Sequence, residues 1–147
     1  FALLGDNIAL NGLGAVISAV HAAVSLKSGT ARIATDQQHS GTASLRAAEP
    51  EEGEDIRILG IAGVDTLLEG TAPLIVKIDV EGHEETVIEA LMASAHRARI
   101  AAIFYEVDER WVDAPAIEAR LRAAGFARFT RFGIGRHYDI LAELPKI

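Results

Sequence analysis

Four acidic side chains follow two apolar runs in the second half of the chain. Asp79 and Glu81 come at the end of the first run, and Glu106 and Asp108 come at the end of the next. In open α/β sheets, ligands bind beyond the carboxyl ends of the strands. If the two runs form neighbouring strands, all four acids crowd one edge of the sheet. Carboxylates in such a place take protons as general bases or bind hard cations such as magnesium or calcium.

Lys77 and His83 flank the first pair of acids. Lys77 and Asp79 are two residues apart, so they share one face of a strand, and the ammonium group would keep Asp79 ionised. Glu81 lies on that face too if the strand continues. His83, at the start of the following helix, is a titratable base or ligand.

Each of these residues also has a structural interpretation. Asp79 and Glu81 could cap the helix that follows, with Lys77 as a structural partner. His83 could be a solvated surface residue. Glu106 could form a hydrogen bond to a neighbouring loop.

The remaining histidines predict no metal site. They share no spacing, and the sequence contains no His-x-x-x-His pair: His21, His39, His96 and His137. The absence of cysteine excludes a disulfide framework, a thiolate metal site and a cysteine nucleophile. We therefore predict no metal, with a divalent cation on Asp79, Glu81 and Glu106 as the alternative.

Composition narrows the class of protein. The 147 residues are 50% hydrophobic and carry a formal net charge of −7, which argues against nucleic-acid partners because these require basic clusters. Every apolar run is shorter than the roughly 18 residues of a membrane span. We expect one domain over residues 1–147, cytoplasmic and without a membrane partner.

Strands and helices alternate along the predicted chain. A helix is expected over 1–12, another after Gly82 with Glu84, Glu85 and Glu89 on its polar side, and a third from the N-cap Asp113 to the stop at Gly125. Strands are expected over 16–24, 31–34, 42–46, 56–61, 74–80, 100–107, 126–132 and 137–144. The alternation predicts an α/β fold with an antiparallel strand pair at the C-terminus.

Three local features add detail to this prediction. Lys27-Ser28-Gly29 is expected to turn strand 16–24 into a hairpin with strand 31–34, and Asp65 is expected to cap a single helical turn. Residues 74–80 are almost continuously apolar, which predicts a strand covered on both faces.

One segment resembles the signature of a known enzyme family. Residues 76–84, VKIDVEGHE, resemble the strand-to-helix signature of the FkbM family of S-adenosylmethionine-dependent methyltransferases. In that family Lys-Ile-Asp-Val-Glu-Gly, a small residue and Glu open a helix, and His83 stands here in place of the small residue. Weaker similarities follow the family's order at residues 7–13, 22–25 with Gly29, 63–68, 103–107 and 125–126.

The resemblance implies a fold, a cofactor and a set of site residues. The implied fold is a partial Rossmann-like, class I methyltransferase sheet, mostly parallel, with an antiparallel C-terminal strand pair. S-adenosylmethionine would be bound by Ala22, Ala23, Val24 and Asp79, and the catalytic residues would be Asp79, Glu81, His83 and Glu106. The family's glycine-rich loop and acidic ribose-binding residue have no counterpart in this sequence. We therefore expect the C-terminal part of such an enzyme, beginning within its second helix.

The resemblance also implies a reaction, a methyl transfer to a hydroxyl group of a small molecule or glycan. A carboxylate or His83 would take the hydroxyl proton as the methyl group transfers. Residues 37–41 and Trp111 are candidates for lining the acceptor pocket, although Trp111 could equally be a packing residue. The alternative is a non-catalytic α/β module whose open sheet edge pairs with a partner or with a second copy.

Overall fold

The computed structural model describes residues 1–33 and 54–145 of the chain. The predicted strand 42–46 and the candidate pocket residues 37–41 lie outside the described residues, as does His39. Within them the helices are α1 (Ala2–Leu10), α2 (Ile61–Leu67), α3 (Glu84–Ala93) and α4 (Ala114–Ala123), with a single 3₁₀ turn at Arg97–Arg99. The strands are β1 (Ala22–Val24), β2 (Gly29–Ile33), β3 (Glu54–Leu59), β4 (Leu74–Ile78), β5 (Ile100–Asp108), β6 (Arg128–Phe132) and β7 (His137–Glu143).

The strands form two mixed sheets. One has the order β1-β3-β2, in which β1 is parallel and β2 antiparallel to β3. The other has the order β4-β5-β7-β6, in which only β4 and β5 are parallel. The α/β class and the antiparallel C-terminal pair are therefore confirmed, but the expected mostly parallel sheet is wrong. The reason is that β7 returns from its hairpin with β6 and pairs with β5, which makes two of the three strand pairings in the larger sheet antiparallel.

The first half of the chain departs most from the prediction. The expected strand 16–24 shrinks to β1, and Val16 is 78% exposed. The expected hairpin between β1 and β2 is wrong, because β3 lies between them. Alternating residues become a strand only where a second backbone accepts and donates their hydrogen bonds, and β3 pairs with residues 22–24 alone.

Strand β4 is buried on one face only. Ile78 is 2% exposed, whereas Ile75 is 80% exposed, so the prediction of a strand covered on both faces is wrong. The physical reason is that the core with α3 covers only the face that carries Ile78, and nothing among the described residues covers Ile75. Its buried face contributes to the core together with α3.

In the core, helices α3 and α4 pack against strands β4 and β5. Its fully buried aliphatic side chains come from all of these elements except β4, and include Ile88, Ile100, Ile103, Ile117 and Leu121. Each contributes about 1.5–3 kcal/mol relative to an exposed position. The predicted limits of α4 are confirmed: Asp113 accepts a hydrogen bond from the Ala116 amide at 3.0 Å, and Gly125 ends the helix with φ 101°. The core thereby fixes where the carboxyl ends of β4 and β5 lie.

Asp65 connects two helices and does not cap one. It lies inside α2, whose N-cap is Gly60, so the predicted capping role is wrong. Its Oδ1 accepts hydrogen bonds from the Ser94 hydroxyl at 2.5 Å and from the Ala95 amide at 3.0 Å. Ser94 is only 3% exposed, and a buried hydroxyl needs a partner. The Asp65 carboxylate, which the local sequence pattern assigned to a helix cap, therefore makes a tertiary contact at the end of α3.

None of the helices in residues 1–33 and 54–145 has the length and apolar composition needed to cross a membrane.

We predict that Asp65→Ala lowers the free energy of unfolding by about 1–3 kcal/mol, because it leaves the buried Ser94 hydroxyl without its acceptor. Urea denaturation measures the change. Asp65→Asn retains an oxygen acceptor and is expected to lose much less stability. Equal stability of Asp65→Ala and the parent protein would show that the contact between α2 and α3 contributes nothing.

Candidate functional site

The parallel pairing of β4 and β5 brings the acidic residues together. Lys77 lies opposite Phe104 and Ile78 opposite Tyr105, so both strands end at the same edge of the sheet. Beyond this edge, carboxylate oxygens of Asp79, Glu81 and Glu106 all lie within 4.8 Å of one another. We call these three side chains the acidic cluster.

A tight turn carries Glu81 into the acidic cluster. The strand ends at Ile78, so the strand alternation that would have placed Glu81 beside Lys77 does not apply. Glu81 has φ 50° and Gly82 has φ 93°, both in the left-handed region. Glu81 is the one non-glycine residue with positive φ in the described part of the chain. Such a conformation costs on the order of 1–3 kcal/mol and persists only where the surroundings hold it.

The Glu84 carboxylate stabilises this turn through hydrogen bonds. Its Oε1 accepts hydrogen bonds from the Gly82 amide at 3.0 Å and from the Val80 amide at 3.4 Å. The side chain is 2% exposed, so its predicted place on the polar side of α3 is wrong. Its second oxygen, Oε2, is buried without a hydrogen-bond partner among the described residues. The helical pattern missed Glu84 because the turn, and not the helix, supplies its donors.

A lysine and a histidine contact carboxylates of the acidic cluster. Lys77 Nζ lies 2.5 Å from Asp79 Oδ2, and this hydrogen bond raises the pKa of Lys77. His137 Nε2 contacts Glu106 Oε1, and the hydrogen bond to Glu106 is likewise the main reason that the pKa of His137 is raised. No local sequence pattern pointed to His137, because only the antiparallel register of β5 and β7 places it opposite Asp108.

Asp108 stands apart from the acidic cluster. Both of its carboxylate oxygens bind Arg110, whose Nε lies 2.9 and 3.0 Å from them. The hydrogen bond from Arg110 lowers the pKa of Asp108 to about 2. Of the four acids that the sequence placed at this edge, three therefore cluster and the fourth is bound by a local arginine.

A cavity of about 410 Å³ opens beside Asp79. Its walls are mainly apolar side chains of β1, α2, β4 and α3, and its polar lining groups are Lys77, Asp79 and His83. Ala22, Ala23 and Val24 of β1 line it as well. Asp79 thus borders both the cavity and the acidic cluster.

A family model for the methyltransferase FkbM domain matches residues 1–127 of the chain. The chain belongs to the FkbM methyltransferase family. Comparison with curated proteins and with solved structures gave no match. The match places the chain in a methyltransferase family, and the reaction of this chain, with its donor and acceptor, is a subject for proposal.

In the FkbM domain, the residues predicted from the sequence lie in two groups. Ala22, Ala23, Val24, Asp79 and His83 share the cavity, and Asp79, Glu81 and Glu106 share the acidic cluster. Trp111, which is 54% exposed, does not line this cavity or a second, more open groove of about 680 Å³ between α4 and the β5–β7 pair. The roles of the predicted residues stay predictions, but their positions are consistent with one site.

The acidic cluster of the FkbM domain is close enough to surround a cation, but its charges are already partly compensated. Lys77 binds Asp79 and His137 binds Glu106. These two contacts compete with a divalent ion for the carboxylates, and the proximity of three acids does not by itself define a metal site, so we assign no metal to the cluster.

We predict that Glu84→Ala releases the turn of the FkbM domain, because the amides of Val80 and Gly82 lose their acceptor. Hydrogen exchange at Gly82 is expected to accelerate at least about tenfold, and the free energy of unfolding to fall by about 1–3 kcal/mol. Glu84→Gln is the control, since it keeps one oxygen acceptor. Parent-like exchange at Gly82 in Glu84→Ala would contradict the assigned role.

Proposed function

We propose that the protein transfers a methyl group from S-adenosylmethionine to a hydroxyl group of a small molecule or glycan. The observation that carries the proposal is the position of Asp79, which borders both the mainly apolar cavity and the acidic cluster in a chain of the FkbM methyltransferase family. A donor in the cavity and an acceptor at the cluster would then meet at one carboxylate.

The cavity offers groups that suit two parts of S-adenosylmethionine. Its apolar walls, including Val24, Ile56 and Leu68, match an adenine ring, and the Asp79 carboxylate matches a sulfonium cation. When bound, S-adenosylmethionine supplies an electrophilic methyl group on that sulfonium. Ala22 and Ala23 have short side chains, so they leave room for a ligand beside β1. The chain's own contribution on this side is to hold the donor and exclude water.

The acidic cluster supplies the proton acceptor. As the acceptor oxygen bonds to the methyl carbon, the carbon–sulfur bond breaks, the sulfonium becomes a neutral thioether, and the hydroxyl proton passes to a protein group. Glu81, Glu106, Asp79 and His83 are the candidate bases, and such assistance is worth about 10²–10⁴-fold in rate. Holding the two reactants in line supplies much of the remaining acceleration.

A binding module is the second candidate function, and exposed apolar surface favours it. None of the residues of α1 is buried, and Leu3, Leu10 and Ile75 are each at least 78% exposed. Both β1 and β4 are edge strands of their sheets, so each leaves backbone groups that another chain could pair with. In this alternative the protein acts through a partner or through a homo-oligomer formed at a sheet edge.

We predict that the protein binds S-adenosylmethionine and S-adenosylhomocysteine, and that Asp79→Asn weakens the first about tenfold more than the second. Only the first carries the sulfonium charge, and a tenfold difference corresponds to about 1.4 kcal/mol. Isothermal titration calorimetry measures both affinities.

The matched control is Glu85→Gln, which removes one negative charge from a side chain that lies outside the cluster and contacts Arg120. It should leave both affinities at the parent value. Failure of the parent protein to bind either S-adenosylmethionine or S-adenosylhomocysteine would overturn the proposed function and favour the binding module.

A further inference from the structure

Of the two basic side chains that bind carboxylates of the acidic cluster, Lys77 and His137, only His137 changes its charge near neutral pH. Lys77 stays charged because its pKa is raised above an already high value. The cluster's other compensating group is His137, whose Nε2 contacts Glu106 Oε1. We infer that His137 is a positioning residue of the proposed methyl-transfer site: it holds Glu106 toward Asp79 and Glu81, and its protonation sets the net charge that the site presents to the sulfonium. The inference rests on the proposed function.

The β5–β7 pairing fixes the position of His137. It is the first residue of β7 and lies opposite Asp108, while Glu106 lies opposite Asp139. The His137 side chain is 63% exposed and that of Glu106 is 24% exposed. His137 therefore exchanges protons freely with solvent, while Glu106 lies between it and the rest of the cluster.

The charged groups around His137 are mostly acidic. Glu106 and Asp108 face it from β5, Asp139 lies on its own strand, Asp79 and Lys77 lie beyond Glu106 on the β4 side, and Arg110 is bound to Asp108. Arg131 of β6 lies over the Tyr138 ring, with its guanidinium carbon 3.5 Å from the ring centroid. The acids hold the pKa of His137 above its usual 6.5, the hydrogen bond to Glu106 being the largest cause.

Deprotonation of His137 makes the site more negative. With the three carboxylates ionised and Lys77 charged, the cluster and its two cations carry one net negative charge when His137 is protonated and two when it is neutral. The attraction for a sulfonium therefore rises as pH passes upward through the raised pKa of His137. The sign for folding is opposite: the His137–Glu106 contact stabilises the protein fully below about pH 6.5 and is lost as pH rises through that raised value.

The test compares S-adenosylmethionine with S-adenosylhomocysteine by calorimetry between about pH 5.5 and about pH 9. In the parent protein the preference for S-adenosylmethionine is expected to increase about three- to tenfold across this range. His137→Gln should show the high-pH preference at every pH. His96→Gln, which changes a histidine directly before the 3₁₀ turn at Arg97–Arg99, should keep the parent profile.

An NMR titration of the parent's His137 ring, with Glu106→Gln for comparison, tests the geometry without any ligand. The ring should titrate above pH 6.5 in the parent and at lower pH in Glu106→Gln. If both ligands bind but their affinity ratio does not change with pH, or if His137 titrates at its ordinary value, this inference is wrong and the proposed function stands. If neither ligand binds, the proposed function fails and the inference fails with it.

Discussion

The parallel pairing of β4 with β5 is the constraint on which the rest of the candidate site depends. Two parallel strands end at the same sheet edge, so residues that are about 27 positions apart in sequence become neighbours in space. Helices α3 and α4 cover one face of this pair, and the buried side chains between them keep the strands in register. A slip of one residue would turn Glu106 to the other face of the sheet and disperse the acidic cluster.

Two kinds of contact stabilise the arrangement of three neighbouring carboxylates. Lys77 and His137 offset the charge of Asp79 and Glu106, and Glu84 holds the strained turn that brings in Glu81. The Glu84 carboxylate is itself buried, and its Oε2 has no hydrogen-bond partner within residues 1–33 and 54–145. Local strain and an incompletely bonded buried acid in one turn are features that folded proteins retain mainly at functional sites. These two features are the reason that the proposed site is centred on the turn that follows β4.

The family assignment and the fold describe the protein at different levels. The family model covers residues 1–127 and gives the class of chemistry. The structure adds two mixed sheets with edge strands at β1 and β4, and the mainly apolar cavity bordered by elements of both sheets. The cavity is lined by the residues that the family resemblance suggested for the cofactor and by a carboxylate of the acidic cluster. The donor and acceptor sides of the proposed reaction are therefore adjacent.

The sequence by itself determined the elements whose signals are local. Apolar periodicity and end signals gave α3, α4, β5 and the β6–β7 pair, and the Lys77–Asp79 contact followed from a spacing of two residues on one strand. The tertiary structure decided what depends on distant partners. It placed β3 between β1 and β2, buried Glu84, engaged Asp65 with Ser94, and brought His137 to Glu106. The physical reason is that periodicity and capping act over a few residues, whereas sheet order, register and burial are set by backbone groups and carboxylates finding partners far along the chain.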